Sequence, residues 1–361
     1  MSNSNPSVGA ARRRWADPRL WVGFAITAGA LVFAFRGVDF KVLAAEIAKV
    51  DLAWLLLPSI VGYLLCTWSR ALRWRHLLRA FGEIETGTLF RATAVGYMAN
   101  NLFPFRLGEL ARSWFLARET GMSGAAVFGS VIVERVIDAV GLLALAAIVL
   151  GSQGAQASGL DGRQALVALS IVASVPLLGV IALRQAPDFF IGLVRWGLGW
   201  APRGPVNRIC GLLDQMAHGL RGMRSGRDLF WVLFHSVTFW LVINIIPYYA
   251  AIRAFGIDLG GLWPDLQASW TLMVWVGAAV ALPSAPGFAG TYHAACRAAL
   301  VPLGVSEELA LALGTLAHAV FWVSLTTLGL AVLRFRGTRL DEAMAGAEGG
   351  DGAAPAGGAS E

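Results

Sequence analysis

The chain has 361 residues, 57% hydrophobic and only 14% charged, with 14 Trp and 19 Phe in an apolar background. Soluble globular proteins carry about a quarter charged residues, so this composition excludes a string of soluble domains and predicts an integral membrane protein. The net charge of +6 is unevenly spread: five acids (Asp341, Glu342, Glu348, Asp351, Glu361) gather in the last 21 residues with no basic partner, leaving 29 basic against 18 acidic residues elsewhere.

In chain order, residues 1–19 hold Arg12, Arg13, Arg14 and Arg19 and read as a basic cytoplasmic arm. No small-x-small cleavage site follows, and more apolar runs come later, so residues 20–35 read as a first transmembrane helix rather than a secretory signal. Further spans are predicted over 52–68, which is followed by Arg70, Arg73, Arg75 and Arg79, and over 124–150, 165–183, 229–252 and 307–333. Most lie near the ~20 residues that cross a hydrocarbon core of ~30 Å. Two apolar regions, 86–118 and 266–300, are broken instead, the first around Pro104 and Gly108, the second around Pro283, Pro286, Gly287 and Gly290. Beyond its break the first region reaches only about 21 Å as a helix and is rich in charge, so it cannot cross alone. Each region reads as a re-entrant hairpin of two half-helices.

Segments 1–19, 69–123, 184–228 and 334–339 hold 22 of the 29 basic residues, which by the positive-inside bias predicts both termini in the cytoplasm. The hairpins then enter from opposite faces. Laying Pro104 on Pro283 puts Gly108 on Gly287, and with four extra residues in the second copy Gly121-Met122-Ser123 falls on Gly304-Val305-Ser306. The expected fold is therefore an all-α polytopic protein whose membrane domain, 20–335, has about six full spans plus two opposed hairpins in an inverted repeat, a transporter architecture. Segment 185–228 has Ile209, Leu212, Met216 and Leu220 at helical spacing, near Arg208, Arg221, Arg224, Trp196 and Trp200. It reads either as an amphipathic element on anionic lipid or as a loop helix packed on the bundle. The Gly, Ala, Ser and acid composition of 336–361 predicts a disordered tail. Cys66, Cys210 and Cys296 have no metal-like spacing and read as small buried hydrophobes.

The strongest local signal runs from Asn100 to Arg112. Arg106, Glu109 and Arg112 recur at i, i+3 and i+6 past the break, beside a half-helix whose free amides and positive dipole end favour an anionic oxygen. Asn101 precedes the break. The bland alternative is that Arg106 and Glu109 neutralise each other and anchor the hairpin. Next come Glu134, Arg135 and Asp138, three charges within five residues of an apolar span, which must face the bundle interior or water. They pair with Arg106 and Arg112, or take up a proton during transport; the bland alternative is a closed salt-bridge network that locks the helix. After the second break stand Thr291, Tyr292 and His293, with His318 on the last span, each imidazole able to titrate near neutral pH or to hydrogen-bond a headgroup. No phosphate loop, HExxH or GxSxG elbow is present, and no catalytic residue, metal site or cofactor is expected.

The segments NLFPFRLGELAR, VIVERVID and ALPSAPGFAGTYHAA followed by Gly304-Val305 resemble the flippase-like membrane family named for the transmembrane region of lysylphosphatidylglycerol synthase, over roughly residues 20 to 335. The resemblance implies lipid translocation: members are associated with moving aminoacylated phospholipids, or with lipid-linked sugar and hopanoid pathways. It carries over to Asn101, Pro104, Arg106, Gly108, Glu109 and Arg112, to Glu134, Arg135 and Asp138, and to Pro283, Pro286, Gly287 and Gly290. His293 stands where an acid is often found. The soluble aminoacyl-transferase domain of the lysyl-transferring members is not expected here, so the family's name transfers no enzyme activity.

The expected function is flippase-like translocation of an anionic phospholipid, a lipid-linked sugar or a hopanoid-type lipid across the plasma (bacterial inner) membrane. The alternatives are a membrane-embedded headgroup transferase and a non-catalytic scaffold of a lipid or glycan biosynthesis complex. Expected partners are the lipid, an anionic cytoplasmic lipid surface and enzymes of such a pathway, with no nucleic acid.

Overall fold

The computed structural model describes residues 18–79, 81–103, 107–153, 182, 185–200, 202–222, 226–281, 286–338 and 342, and all regular structure among them is helical. Helix α1 (Pro18–Phe35) leads to a short α2 (Phe40–Ala48), whose N-cap Asp39 accepts from the amides of Lys41 and Val42. The stretch 36–51 between the first two expected spans is thus largely helix, because Asp39 satisfies amides that would otherwise lack a partner. Asp51 does the same for α3 (Leu52–Leu78), which runs past the expected end at Trp68 and carries Arg70, Arg73 and Arg75 within the helix. Leu55, Ser59, Gly62, Cys66, Arg70, Arg73 and Leu77 recur every three or four residues and form its buried face.

Helices α4 (Thr86–Leu102) and α5 (Gly108–Thr120) pack on each other across the first break. A Cβ on Gly108 would strike the Gly96 carbonyl and the Asn100 side chain, so only glycine permits this approach. Gly121, at φ 72°, ends α5, and α6 (Gly124–Gln153) follows.

The expected span 165–183 falls, but for residue 182, outside the described residues. Next come α7 (Pro187–Gly197), α8 (Arg203–Gly222) and α9 (Gly226–Thr238). The inner face of α8 is Val206, Cys210, Leu213 and Ala217, one step round from the stripe expected in sequence, and Ile209 is exposed. The expected span 229–252 is continuous but not uniform. A π-helical turn at Phe239–Ile243, closed by Asn244 N donating to Phe239 O at 2.9 Å, separates α9 from α10 (Ile246–Ala254). Pro247, lacking an N–H, sits just beyond, where a regular ladder would otherwise continue.

The second broken unit repeats the succession of the first. Helix α11 (Leu262–Ala281) precedes a 3-10 turn at Pro286–Phe288 with Gly287 at φ 71°; α12 (Thr291–Leu300) ends near a left-handed Gly304, and α13 (Glu307–Arg336) follows Ser306, whose side chain caps it. Helices α6 and α13 are each 30 residues long. One apolar cluster joins α4, α5 and the first turns of α6 to the ends of α3 and α13; another joins α10, α11, α12 and the first half of α13. Helix α13 belongs to both and packs along α4. Among the described residues, Leu52–Leu78, Arg227–Ala254 and Glu307–Arg336 are long and apolar enough to cross a membrane.

Candidate functional site

Glu134, on α6, is 0% exposed, and arginines from three helices converge on it. Its Oε1 is 3.0 Å from Arg70, 3.2 Å from Arg73 and 2.7 Å from Arg135, while its Oε2 is 3.1 Å from Arg112. One helical turn further, Asp138 lies 2.7 Å from Arg73, 3.0 Å from Arg70 and 2.9 Å from Arg135. Glu109, in the first turn of α5, stands 3.7 Å from Arg135. Local spacing makes this arrangement: Glu134 and Asp138 are i, i+4 on α6, Arg70 and Arg73 are i, i+3 on α3, and both pairs project between the helices.

Aromatic rings wall the cluster. Phe239, on the π-turn, lies 4.8 Å from the Arg70 guanidinium and 5.9 Å from that of Arg73; Tyr97 lies 5.8 Å from Arg70, and Trp74 lies 4.8 Å from Arg112. These faces replace part of the hydration lost on burial. Trp74 is fixed by donating to Ser130 at 2.8 Å, and Arg73 also donates to Ser236 at 3.3 Å.

The cluster therefore holds four guanidiniums and three carboxylates among the described residues, a positive excess of one. Arg112 Nε and Nη2, and Nε of Arg70 and Arg73, are buried without a hydrogen-bond partner in those residues. Unsatisfied N–H groups in a positive, water-poor setting suit an anionic oxygen that guanidinium can hold. The first amide of α5, expected to be free for such an anion, is taken at 2.9 Å by the Asn100 side-chain oxygen.

A second constellation lies at the other break. Asn101 Nδ2 donates to Trp322 O at 3.3 Å and Thr326 Oγ1 at 3.1 Å, and Trp322 Nε1 donates back to Asn101 O at 3.3 Å. Gly287 lies against Trp322, where a Cβ would collide with the indole. His318 Nε2 donates to the Gly287 carbonyl at 2.5 Å, so the proton is on that nitrogen. Tyr292 stacks on His318 at 4.9 Å, and His293 meets the same ring edge-on at 5.3 Å. His293 is buried against Phe35, and its Nδ1 has no partner among the described residues. Thr291 donates to Phe288 O at 3.0 Å and shapes the turn.

The residues singled out in the sequence thus divide in two. Glu109, Arg112, Glu134, Arg135 and Asp138 come together; Asn101, Tyr292, His293 and His318 come together with Gly287 elsewhere. Gly108 and Gly290 lie at the two breaks, Gly290 at φ 81°. Tyr97 and Asn101, four residues apart on α4, touch one group each. Arg106, Pro104 and Pro283 lie outside the described residues, as does the side chain of Pro286. Sequence reasoning missed Arg70 and Arg73, taken there as cytoplasmic charge, their aromatic partner Phe239, and Trp74, which faces Arg112. The available signal was phase, since Arg70 and Arg73 continue the buried face of α3 whereas Arg75 and Arg79 point outward. Among the described residues no group of three His, Cys, Asp or Glu is placed to hold a metal ion.

The family described as lysylphosphatidylglycerol synthase TM region matches residues 20–329, and the chain belongs to that family. A protein named glycosyltransferase AglD, from Haloferax volcanii, is 27% identical over 325 residues, covering 82% of this chain and 51% of that protein. The chain thus spans about half the length of that relative. No solved structure matches the chain.

Proposed function

We propose that this member of the lysylphosphatidylglycerol synthase transmembrane family moves a lipid with an anionic headgroup across the plasma membrane, with both termini in the cytoplasm. The cargo class is an anionic phospholipid, a lipid-linked sugar or a hopanoid-type lipid. The observation that carries the reading is the buried charge cluster next to a helix break, with its positive excess and its Arg112 nitrogens without a partner among the described residues. Charges this deep in a membrane chain mark pathways more often than they add stability. In this reading the two broken units are opposed re-entrant hairpins. Arg112 and the flanking arginines receive the headgroup, while Glu109, Glu134 and Asp138 balance charge or carry protons. Asn101, Tyr292, His293 and His318 line the second break on the same route, where imidazole and hydroxyl groups offer hydrogen bonds to a passing headgroup.

The test is reconstitution into vesicles containing fluorescent phosphatidylglycerol, with outer-leaflet label destroyed by an impermeant reductant. The wild-type protein should let the inner-leaflet label become accessible faster than in protein-free vesicles; equal rates with every anionic and glycosylated lipid tried would overturn the proposal. A second reading, a headgroup transferase with Glu134 or His293 as general base, is favoured only by the relative's name. It expects a chemically altered lipid in extracts of wild-type cells that deletion cells lack, read by mass spectrometry.

A further inference from the structure

Helix α7, Pro187–Gly197, has 11 residues, about 16 Å at its rise per residue, and cannot cross a bilayer. Yet Phe189, Leu193, Trp196 and, past the helix end, Trp200 recur at steps of four, three and four, and all are exposed, Trp196 at 83% and Trp200 at 84%. The opposite side of α7 is occupied: Pro187 is buried, and Phe190 packs against the same apolar cluster as Leu213 and Ala217 of α8, a helix that α7 contacts. Helix α8 lies inward against α6 and turns Arg203, Asn207 and Asp214 outward.

The position of this helix pair is fixed by the cluster it joins. That cluster contains Leu77 and Leu78 at the end of α3, Val127 at the start of α6, Val232 in α9 soon after its start and Leu333 near the end of α13. The pair therefore sits where those helices begin and end, which for helices that cross a bilayer is the level of the headgroups. This end is also basic: among the described residues Arg195, Arg203 and Arg227 are exposed there, and Asp228 is already paired with Arg79 at 2.9 Å.

A run of large apolar side chains facing water favours association or aggregation. At the headgroup level a bilayer already surrounds the spans, Trp is at home in its interface, and anionic lipid complements the arginines. We propose that the α7–α8 pair is a lipid-docking element. Helix α7 lies flat in the headgroup region, with Phe189, Leu193 and Trp196 directed to the acyl boundary and Arg195 to lipid phosphates, while the outer face of α8 stays in water. The occupant is an anionic phospholipid surface, and the inference is independent of what the charge cluster carries.

The test uses the full chain with an environment-sensitive fluorophore on a Trp196→Cys or, as the water-facing reference, an Asp214→Cys variant; Cys66, Cys210 and Cys296 are buried. Leu193→Cys replaces the first variant should it fail to fold. The proteins are placed in phosphatidylcholine vesicles with or without phosphatidylglycerol. The label at 196 should emit to the blue of that at 214, be quenched by a nitroxide carried near the lipid headgroup, and move further into lipid when phosphatidylglycerol is present, a gain lost in high salt. Iodide quenching both labels equally in both vesicles would overturn the proposal. So would a label at 196 that is shielded in native membranes but open to water in purified lipid, which would assign the face to a protein partner.

Discussion

Glu134 accepts from Arg70, Arg73, Arg112 and Arg135, and no other described carboxylate is shared so widely. Removing it would strand buried guanidiniums, and breaking such a network costs about 3–5 kcal/mol. Glu134→Ala should therefore lower the thermal midpoint of the detergent-solubilised protein markedly. Glu119→Ala removes the same kind of charge from pairs with Arg336 at 3.0 Å and Arg91 at 3.7 Å, but at a partly exposed site, where about 1 kcal/mol or less is at stake. Comparing the two melting curves checks this; equal losses would show that burial does not govern the cluster. Glu134, Arg135 and Asp138 were legible in the sequence because three charges interrupt an apolar run. Arg70 and Arg73 were not, because arginines after an apolar run are the usual flag of a cytoplasmic flank, and only their helical phase separates them from Arg75 and Arg79.

At the scale of elements, the breaks depend on residues that let backbones meet. Gly108→Ala would press a methyl group into the Gly96 carbonyl and Asn100, and overpacking of this kind costs about 1–3 kcal/mol. The variant should melt earlier than wild type, whereas Gly121→Ala, which meets no atom within 4 Å, should cost only the strain of its φ of 72°. A separate clamp holds α1. Arg297 Nη1 donates to the carbonyls of Phe33, Ala34 and Arg36 at 3.0, 2.9 and 3.3 Å, while its Nη2 pairs with Glu307 at 2.6 Å. It satisfies the C-terminal carbonyls that any helix leaves without partners. Arg297→Ala should speed hydrogen exchange at residues 33–38 and leave α4 and α6 unchanged, as read by mass spectrometry. The long helices and both breaks could be read from apolar length and from Pro and Gly. Helix α2 and the π-turn could not, since one depends on a single aspartate cap and the other on Pro247 and packing around Phe239 and Trp240.

Across the whole molecule, the two broken units have the same order of parts: helix, break, shorter helix, left-handed glycine and a 30-residue helix. Sequence matching found this order from a few prolines, glycines and serines. What it could not supply was the meeting of the units, which depends on α13 packing along α4 and on Asn101, Trp322 and Gly287 interlocking between the breaks. The central claim is that the charge cluster receives cargo rather than only locking α3, α5 and α6 together. A lock and a binding site respond differently to a charge-balanced change. The most direct measurement is lipid translocation in vesicles by the Arg112→Gln variant, the Glu134→Gln variant and the double variant Arg112→Gln/Glu134→Gln, each shown to fold by its melting curve. The account predicts that the double variant is more stable than Glu134→Gln, having one stranded guanidinium fewer, but stays as slow as Arg112→Gln; recovery of wild-type translocation in the double variant would contradict it.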